Sequence, residues 1–200
     1  MNENVFRILA GLMLFTGLGI SGYFRRKADR DTGEKVSWEN EGLFMILALR
    51  IGGLVLWFSM LGYLIYPPLL AWSQVGLPGW TRWIGVGLGI VCVVLIYWMF
   101  SSIGSGITPT VATRSEHKLV TKGPYRWIRH PLYSFGTLFF LSFALMADSW
   151  FIALMAALAI VLLSIRLPTE EAFLIEKFGD EYREYMKHTG KYLPKLGGTL

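Results

Sequence analysis

Cysteine is almost missing from this chain of 200 residues: Cys92 stands alone, so no internal disulfide can close and no cysteine pair can do redox chemistry. Histidine is scarce as well. His117, His130 and His188 fall at no spacing that pairs metal ligands, which argues against a zinc site, structural or catalytic, and no metal ligand is assigned. Charged residues make up only 16% of the chain, too few for a disordered or nucleic-acid-coating protein. There is no low-complexity tract and no repeat of solenoid length. A Gly-rich phosphate loop and a Gly-x-Ser-x-Gly elbow are also lacking, so phosphoryl transfer and serine hydrolysis lose support. Gly85, Gly87 and Gly89 imitate a dinucleotide motif, but no strand or loop surrounds them and close helix packing explains them better.

What the chain has in abundance is apolar length. Hydrophobic residues reach 54% and aromatics 15%, the composition of a membrane protein. Windows long enough to cross a bilayer run from about Asn4 to Phe24, Leu43 to Tyr66, Trp80 to Phe100, Pro131 to Ala147 and Trp150 to Leu167. Pro67-Pro68 ends the second window and Pro78-Gly79 precedes the third. Only Asp148-Ser149 separates the last two, which predicts a tight antiparallel helical hairpin. After it, about Thr169 to His188 reads as an amphipathic helix with Leu174, Phe178, Tyr182 and Tyr185 on one face, interrupted at Gly179. The expected fold is all-α and integral to the membrane. It has five transmembrane helices and a cytosolic amphipathic C-terminal helix in one domain over 1–200. The three spans of 1–100 precede a C-terminal half, 101–200, that carries loop, hairpin and helix.

The formal net charge of +5 is explained by position. All of the 19 basic residues except Arg7, Arg50 and Arg82 fall after the first span, between the third and fourth, or at the C-terminal end. Basic residues are held on the cytoplasmic side, so five spans put the N-terminus outside and the C-terminus in the cytosol of a multi-pass cell-membrane protein. That distribution needs no nucleic acid. Arg50 lies about two turns into its span, where it either reaches the interface or marks the path of an anionic group.

Chemistry is concentrated in two cytosolic strings. The first is His117-Lys118-Leu119-Val120-Thr121-Lys122-Gly123-Pro124-Tyr125, followed by Arg126 to Tyr133. Pro131 suits the first position of a helix, with His130 near its cap. Read alone, Arg129, His130 and the aromatics are interface anchors; equally, a helix start there can hold a carboxylate or phosphate, with Gly123 letting the backbone come close. The second string is Arg166-Leu167-Pro168-Thr169-Glu170-Glu171, where two acids either complement a helix dipole or form a carboxylate pair beside a fixed cation.

Taken together, Gly123-Pro-Tyr-Arg-Trp-Ile-Arg-His-Pro-Leu-Tyr133, Glu170-Glu171 and Phe178-Gly-Asp-Glu-Tyr-Arg-Glu-Tyr185 resemble the isoprenylcysteine carboxyl methyltransferase family over about His117 to Pro194. The wider group of membrane methyltransferases, phospholipid N-methyltransferases among them, shares the Arg-His-Pro-x-Tyr and Glu-Glu elements. The resemblance implies methyl transfer from S-adenosyl-L-methionine at the cytosolic face. The first choice of acceptor is the carboxylate of a prenylated cysteine or related isoprenoid acid entering sideways from the lipid. A phospholipid amine, a small thiol, or a non-enzymatic binding or assembly role are the alternatives. By resemblance, His117, Lys118, Leu119, Val120, Tyr125, His130, Pro131, Leu132 and Tyr133 surround the cofactor, while Arg166 and Glu171, with Glu170 beside it, serve the substrate carboxylate and the reacting centre. The first hundred residues match the family only as hydrophobic spans.

Overall fold

A computed structural model describes residues 2–32, 43–104 and 119–195. His117 and Lys118, and most of the loop before them, lie outside the described residues. The described residues form helices α1 (Glu3–Thr32), α2 (Leu43–Ile65), α3 (Gly79–Ile103), α4 (Pro131–Ala147), α5 (Trp150–Phe178) and α6 (Asp180–His188), with short 3-10 helices at Pro67–Ser73 and Gly123–Arg126. By length and composition α1, α2, α3 and α5 can cross a bilayer, and α4 is a shorter apolar helix of 17 residues. The apolar windows read from the sequence thus begin or end within a residue or two of a helix boundary in most cases. Two ends run well past their windows: α1 continues beyond Phe24 to Thr32, and α5 beyond Leu167 to Phe178.

The fifth helix does not stop at Leu167. It runs through Pro168 to Phe178, carrying Glu170 and Glu171 on the same rod as the apolar segment. Pro168 has no N–H to offer the Ser164 carbonyl, a loss that neighbouring groups can offset in a membrane helix. Here the Ser164 hydroxyl donates to the Ile160 carbonyl at 2.7 Å and accepts from the Tyr192 hydroxyl at 2.9 Å, so the weakened turn is braced. The break falls at Gly179 instead. Its φ of +57° is a left-handed value that glycine adopts without strain, and its N–H closes α5 on the Ile175 carbonyl at 2.8 Å. The amphipathic stretch predicted from Thr169 to His188 is therefore the tail of α5 plus the short α6.

Small residues bring α3 and α4 together. A Cβ on Gly85 would stand 2.9 Å from both Leu145 Cβ and the Ser142 carbonyl. One step on, the Cys92 thiol donates to the Phe135 carbonyl at 3.0 Å, so the lone cysteine is a packing residue. The α4–α5 turn is tight: Asp148 takes φ +52°, and the Ser149 hydroxyl accepts from the Ile152 N–H at 3.3 Å. The Asp148 carboxylate accepts from the Gly76 and Leu77 N–H groups at 3.1 and 3.2 Å, fastening the turn to the α2–α3 connection.

At that end of the bundle Arg82 acts as a clasp. Its guanidinium meets Glu3 at 2.7 and 2.9 Å, the Tyr63 hydroxyl at 3.0 Å and the Met146 carbonyl at 2.6 Å, and lies over the Phe6 ring. One side chain so joins the starts of α1 and α3 to the ends of α2 and α4. The starts of α4 and the charged part of α5 are left at the opposite end.

Candidate active site

The approach to α4 is built by a strap from the C-terminal segment. The Gly190 N–H donates to the Trp127 carbonyl at 3.0 Å, Arg129 N–H to Gly190 at 2.8 Å, and His130 N–H to Lys191 at 3.1 Å. Ser134 donates its hydroxyl to the Tyr192 carbonyl at 2.5 Å. Pro131 is buried at the first helical position, as its fixed φ predicts. The expectation of a helix start open to an anion changes, because the His130 N–H is used by Lys191 and the Tyr133 N–H by the His130 carbonyl. Gly123 also has another task. At φ +62° it lies so close to Ser102 at the end of α3 that any side chain would collide there, which seats the loop on α3.

Beneath the strap four ionisable side chains and a phenol meet. Arg129 donates from Nε to Glu171 Oε1 at 2.9 Å, with both side chains under a tenth exposed. It also donates from Nη1 to the Thr189 carbonyl and to the Met186 carbonyl at 3.3 Å, binding the end of α6 to α5. His130 lies between the two acids, Nδ1 3.6 Å from Glu170 and Nε2 3.5 Å from Glu171. Those separations are charge contacts rather than hydrogen bonds. Tyr133, stacked on the His130 ring at 5.6 Å, donates its hydroxyl to Glu170. Lys191 approaches Glu171 from solvent at 3.6 Å. Burial pulls the His130 imidazole down, but the negative charge of Glu170 and then Glu171 outweighs it and raises it above its ordinary 6.5.

The cluster opens on an apolar cavity of about 390 Å³. All of the first five helices contribute to its wall. Tyr133, Arg166 and Arg25 line it, whereas Leu14, Met60, Phe139 and Ala156 lie further toward the Arg82 end along their helices. Its volume is that of a pocket for one drug-sized molecule. Gly136 on α4 and Gly53 on α2 leave room in the wall, since a Cβ at either would meet nothing within 4 Å.

A family model described as phospholipid methyltransferase matches residues 80–181, half of the chain. The chain belongs to that family. It is 32% identical over 96 residues to the protein-S-isoprenylcysteine O-methyltransferase of Schizosaccharomyces pombe, a match covering 46% of this chain and 41% of the relative. It is 36% identical over 87 residues to the cobalt-zinc-cadmium resistance protein CzcN of Cupriavidus metallidurans, covering 43% and 40%. The matched region therefore spans less than half the length of these two curated relatives. The solved structure of the eukaryotic intramembrane Ras methyltransferase ICMT shares the fold, with a TM-score of 0.53 and 24% identity over 76% of this chain and 53% of that one. Family, fold and apolar helices together make this a multi-pass membrane protein of the isoprenylcysteine methyltransferase architecture.

Of the residues singled out from the sequence, the structure brings His130, Tyr133, Glu170 and Glu171 into one cluster and puts Leu132, Tyr133 and Arg166 on the cavity. Tyr125 stands at the edge, its carbonyl accepting from the Tyr185 hydroxyl of α6 at 2.5 Å. Leu119 and Val120 begin the described part of the loop, half-buried, and are not among the cavity's lining residues. Arg50 is exposed and likewise does not line it. Sequence reasoning read Arg129 only as an interface anchor and gave no role at the site to Thr189, Lys191 or Tyr192. Arg129 stands in the first string but 42 residues from its carboxylate partner, and no local pattern reveals a pairing over that distance.

Proposed function

We propose that this chain transfers a methyl group from S-adenosyl-L-methionine to the carboxylate of a single-tailed isoprenoid acid, in the first instance a prenylated cysteine, at the cytosolic face of the cell membrane. In this reading α4 completes a set of five spans, the N-terminus is outside, and α6 with the C-terminal strap lies in the cytosol. The observation that carries it is the contiguity of two unlike spaces, a charged cluster around Glu170 and an apolar cavity with Tyr133 in the wall of both. One wide two-chain phospholipid is poorly matched to about 390 Å³; one isoprenoid tail is better matched.

The residues suit the methyl donor. S-adenosylmethionine, when bound, supplies a methyl on a positively charged sulfur, and its amino-acid and nucleoside parts need polar partners. The cluster offers Glu170, held by a phenol and an imidazole, and two buried polar atoms without hydrogen-bond partners among the described residues, His130 Nε2 and the Tyr182 hydroxyl. His130, Tyr133 and Tyr125 are the residues to hold the donor, and the His117 to Val120 string is assigned to it by the family resemblance. Arg166 holds the acceptor carboxylate at the mouth of the cavity by a charge-assisted contact. Glu170, held by Tyr133 and His130, would favour the positively charged sulfur of the donor. Glu171 positions His130 and Arg129. A carboxylate needs no base to become a nucleophile, so alignment and exclusion of water by the apolar walls are the contributions asked of the protein.

Calorimetry on the detergent-purified chain with S-adenosylhomocysteine tests the donor site: absence of binding at millimolar concentration rules the reading out. Radiolabelled methyl transfer to N-acetyl-farnesylcysteine set against phosphatidylethanolamine then separates the acid acceptor from an amine acceptor.

A further inference from the structure

The sequence places three basic residues in a row after the first apolar window, Arg25, Arg26 and Lys27, and a basic run at that position is sufficiently explained by topology. The structure separates them. Arg26 and Lys27 are exposed, but Arg25 is half-buried, donates from Nε to the Ser21 hydroxyl at 3.2 Å and has its guanidinium 5.9 Å from the centre of the Phe100 ring. Ser21, Arg25 and Phe100 all line the apolar cavity that also receives Arg166. Asp29, the acid one turn further along α1, is exposed and interacts with Arg25 through its charge, from the side away from the cavity residues Leu14 to Ser21. A guanidinium drawn into an apolar wall while its two neighbours stay exposed has given up solvation that the topology signal does not require.

We infer that Arg25 is a specificity-determining residue of the acceptor site, a second cation that with Arg166 selects an amphiphile with an anionic head. The inference rests on the methyltransferase reading of the cavity. Arg25 and Arg166 come from α1 and α5, and both stand at the end where α4 begins. From Arg25 the cavity wall continues along α1 through Leu18 and Gly17 to Leu14, eleven residues or about 16 Å at 1.5 Å per residue. Head and tail are therefore recognised by one helix, with Ser21 holding the guanidinium in place between them. An anionic head gains two cations; an ester or a zwitterion leaves them incompletely matched.

The test is binding of N-acetyl-farnesylcysteine and of its methyl ester, which has the same tail and no charge, to the full chain in detergent by equilibrium dialysis, without turnover. The wild type is expected to prefer the acid by about tenfold or more. Arg25→Gln should remove most of that preference, Arg25→Lys should restore part of it, and S-adenosylhomocysteine affinity should be unchanged in both, which reports an intact fold. Preference for the acid preserved in Arg25→Gln overturns the inference, as does a wild type that binds acid and ester alike or neither. A wild type that binds the acid through Arg25 but transfers no methyl group overturns the methyltransferase reading and leaves the role of Arg25 standing.

Discussion

Arg129 and Glu171 are joined by a 2.9 Å ion pair in a setting where both side chains are nearly sealed from solvent. The pair fastens α5 to the strap that crosses the start of α4, because the same guanidinium also reaches the carbonyls of Met186 and Thr189. Breaking a buried pair leaves an uncompensated charge, which costs about 3–5 kcal/mol. Arg129→Gln is thus expected to lower thermal stability in detergent by about that much. The double variant Arg129→Met with Glu171→Leu should recover a good part of it, since both charges go together. A single variant as stable as the wild type contradicts this role.

The His130 imidazole ties stability to pH. Its pKa is raised in the folded protein, so its contribution is fully present below about pH 6.5 and is lost as pH rises through the raised value. The melting temperature should fall as pH climbs above 6.5. His130→Gln should flatten that part of the profile, measured by a thermal-shift series in one detergent. An unchanged slope would mean that the two glutamates do not govern this imidazole.

Gly85 and Gly87 are two positions apart on α3 and predict opposite responses. A Cβ at Gly85 would press on α4 at 2.9 Å, so Gly85→Ala should destabilise by about 1–3 kcal/mol through overpacking. At Gly87 a Cβ meets nothing within 4 Å, and Gly87→Ala should be neutral or stabilise by up to about 1 kcal/mol through helix propensity. Melting of the two variants side by side decides the matter; equal losses would show that both glycines face α4.

Gly136 provides a test of the cavity separate from its charged end. Gly136→Leu puts an isobutyl group into open space in the wall. Affinity for N-acetyl-farnesylcysteine should fall about tenfold or more while S-adenosylhomocysteine binds as before. Loss of both affinities together would show that the variant damages the fold rather than the tail site.

Most of the helices were legible in the sequence because bilayer thickness imposes a length and Pro67-Pro68, Pro78-Gly79 and Asp148-Ser149 mark the ends. The fifth window stops at Leu167 because polar residues follow it, yet the helix runs on through Pro168, where Ser164 and Tyr192 brace the turn that the proline weakens. The Arg-His-Pro and Glu-Glu strings could be found by residue type, and the cluster they form was visible as separate parts. Its closure was not. Arg129 with Glu171, Gly190 with Trp127, and the inward turn of Arg25 next to two outward neighbours depend on contacts between distant segments, and hydrophobic periodicity carries no information about those.

The division of labour within the cavity wall has an evolutionary consequence. Residues 80–181, which the family model matches, contain Tyr133, Arg166 and both glutamates, whereas Leu14, Gly17, Arg25, Gly53 and Met60 lie on α1 and α2 outside it. On the reading proposed above, substitutions in the two N-terminal helices retune tail length or head charge without touching the residues assigned to the methyl donor. On the same reading, acceptor choice is free to vary through α1 and α2 while the matched segment keeps the reaction, and the N-terminal helices are the place to look for what this chain methylates.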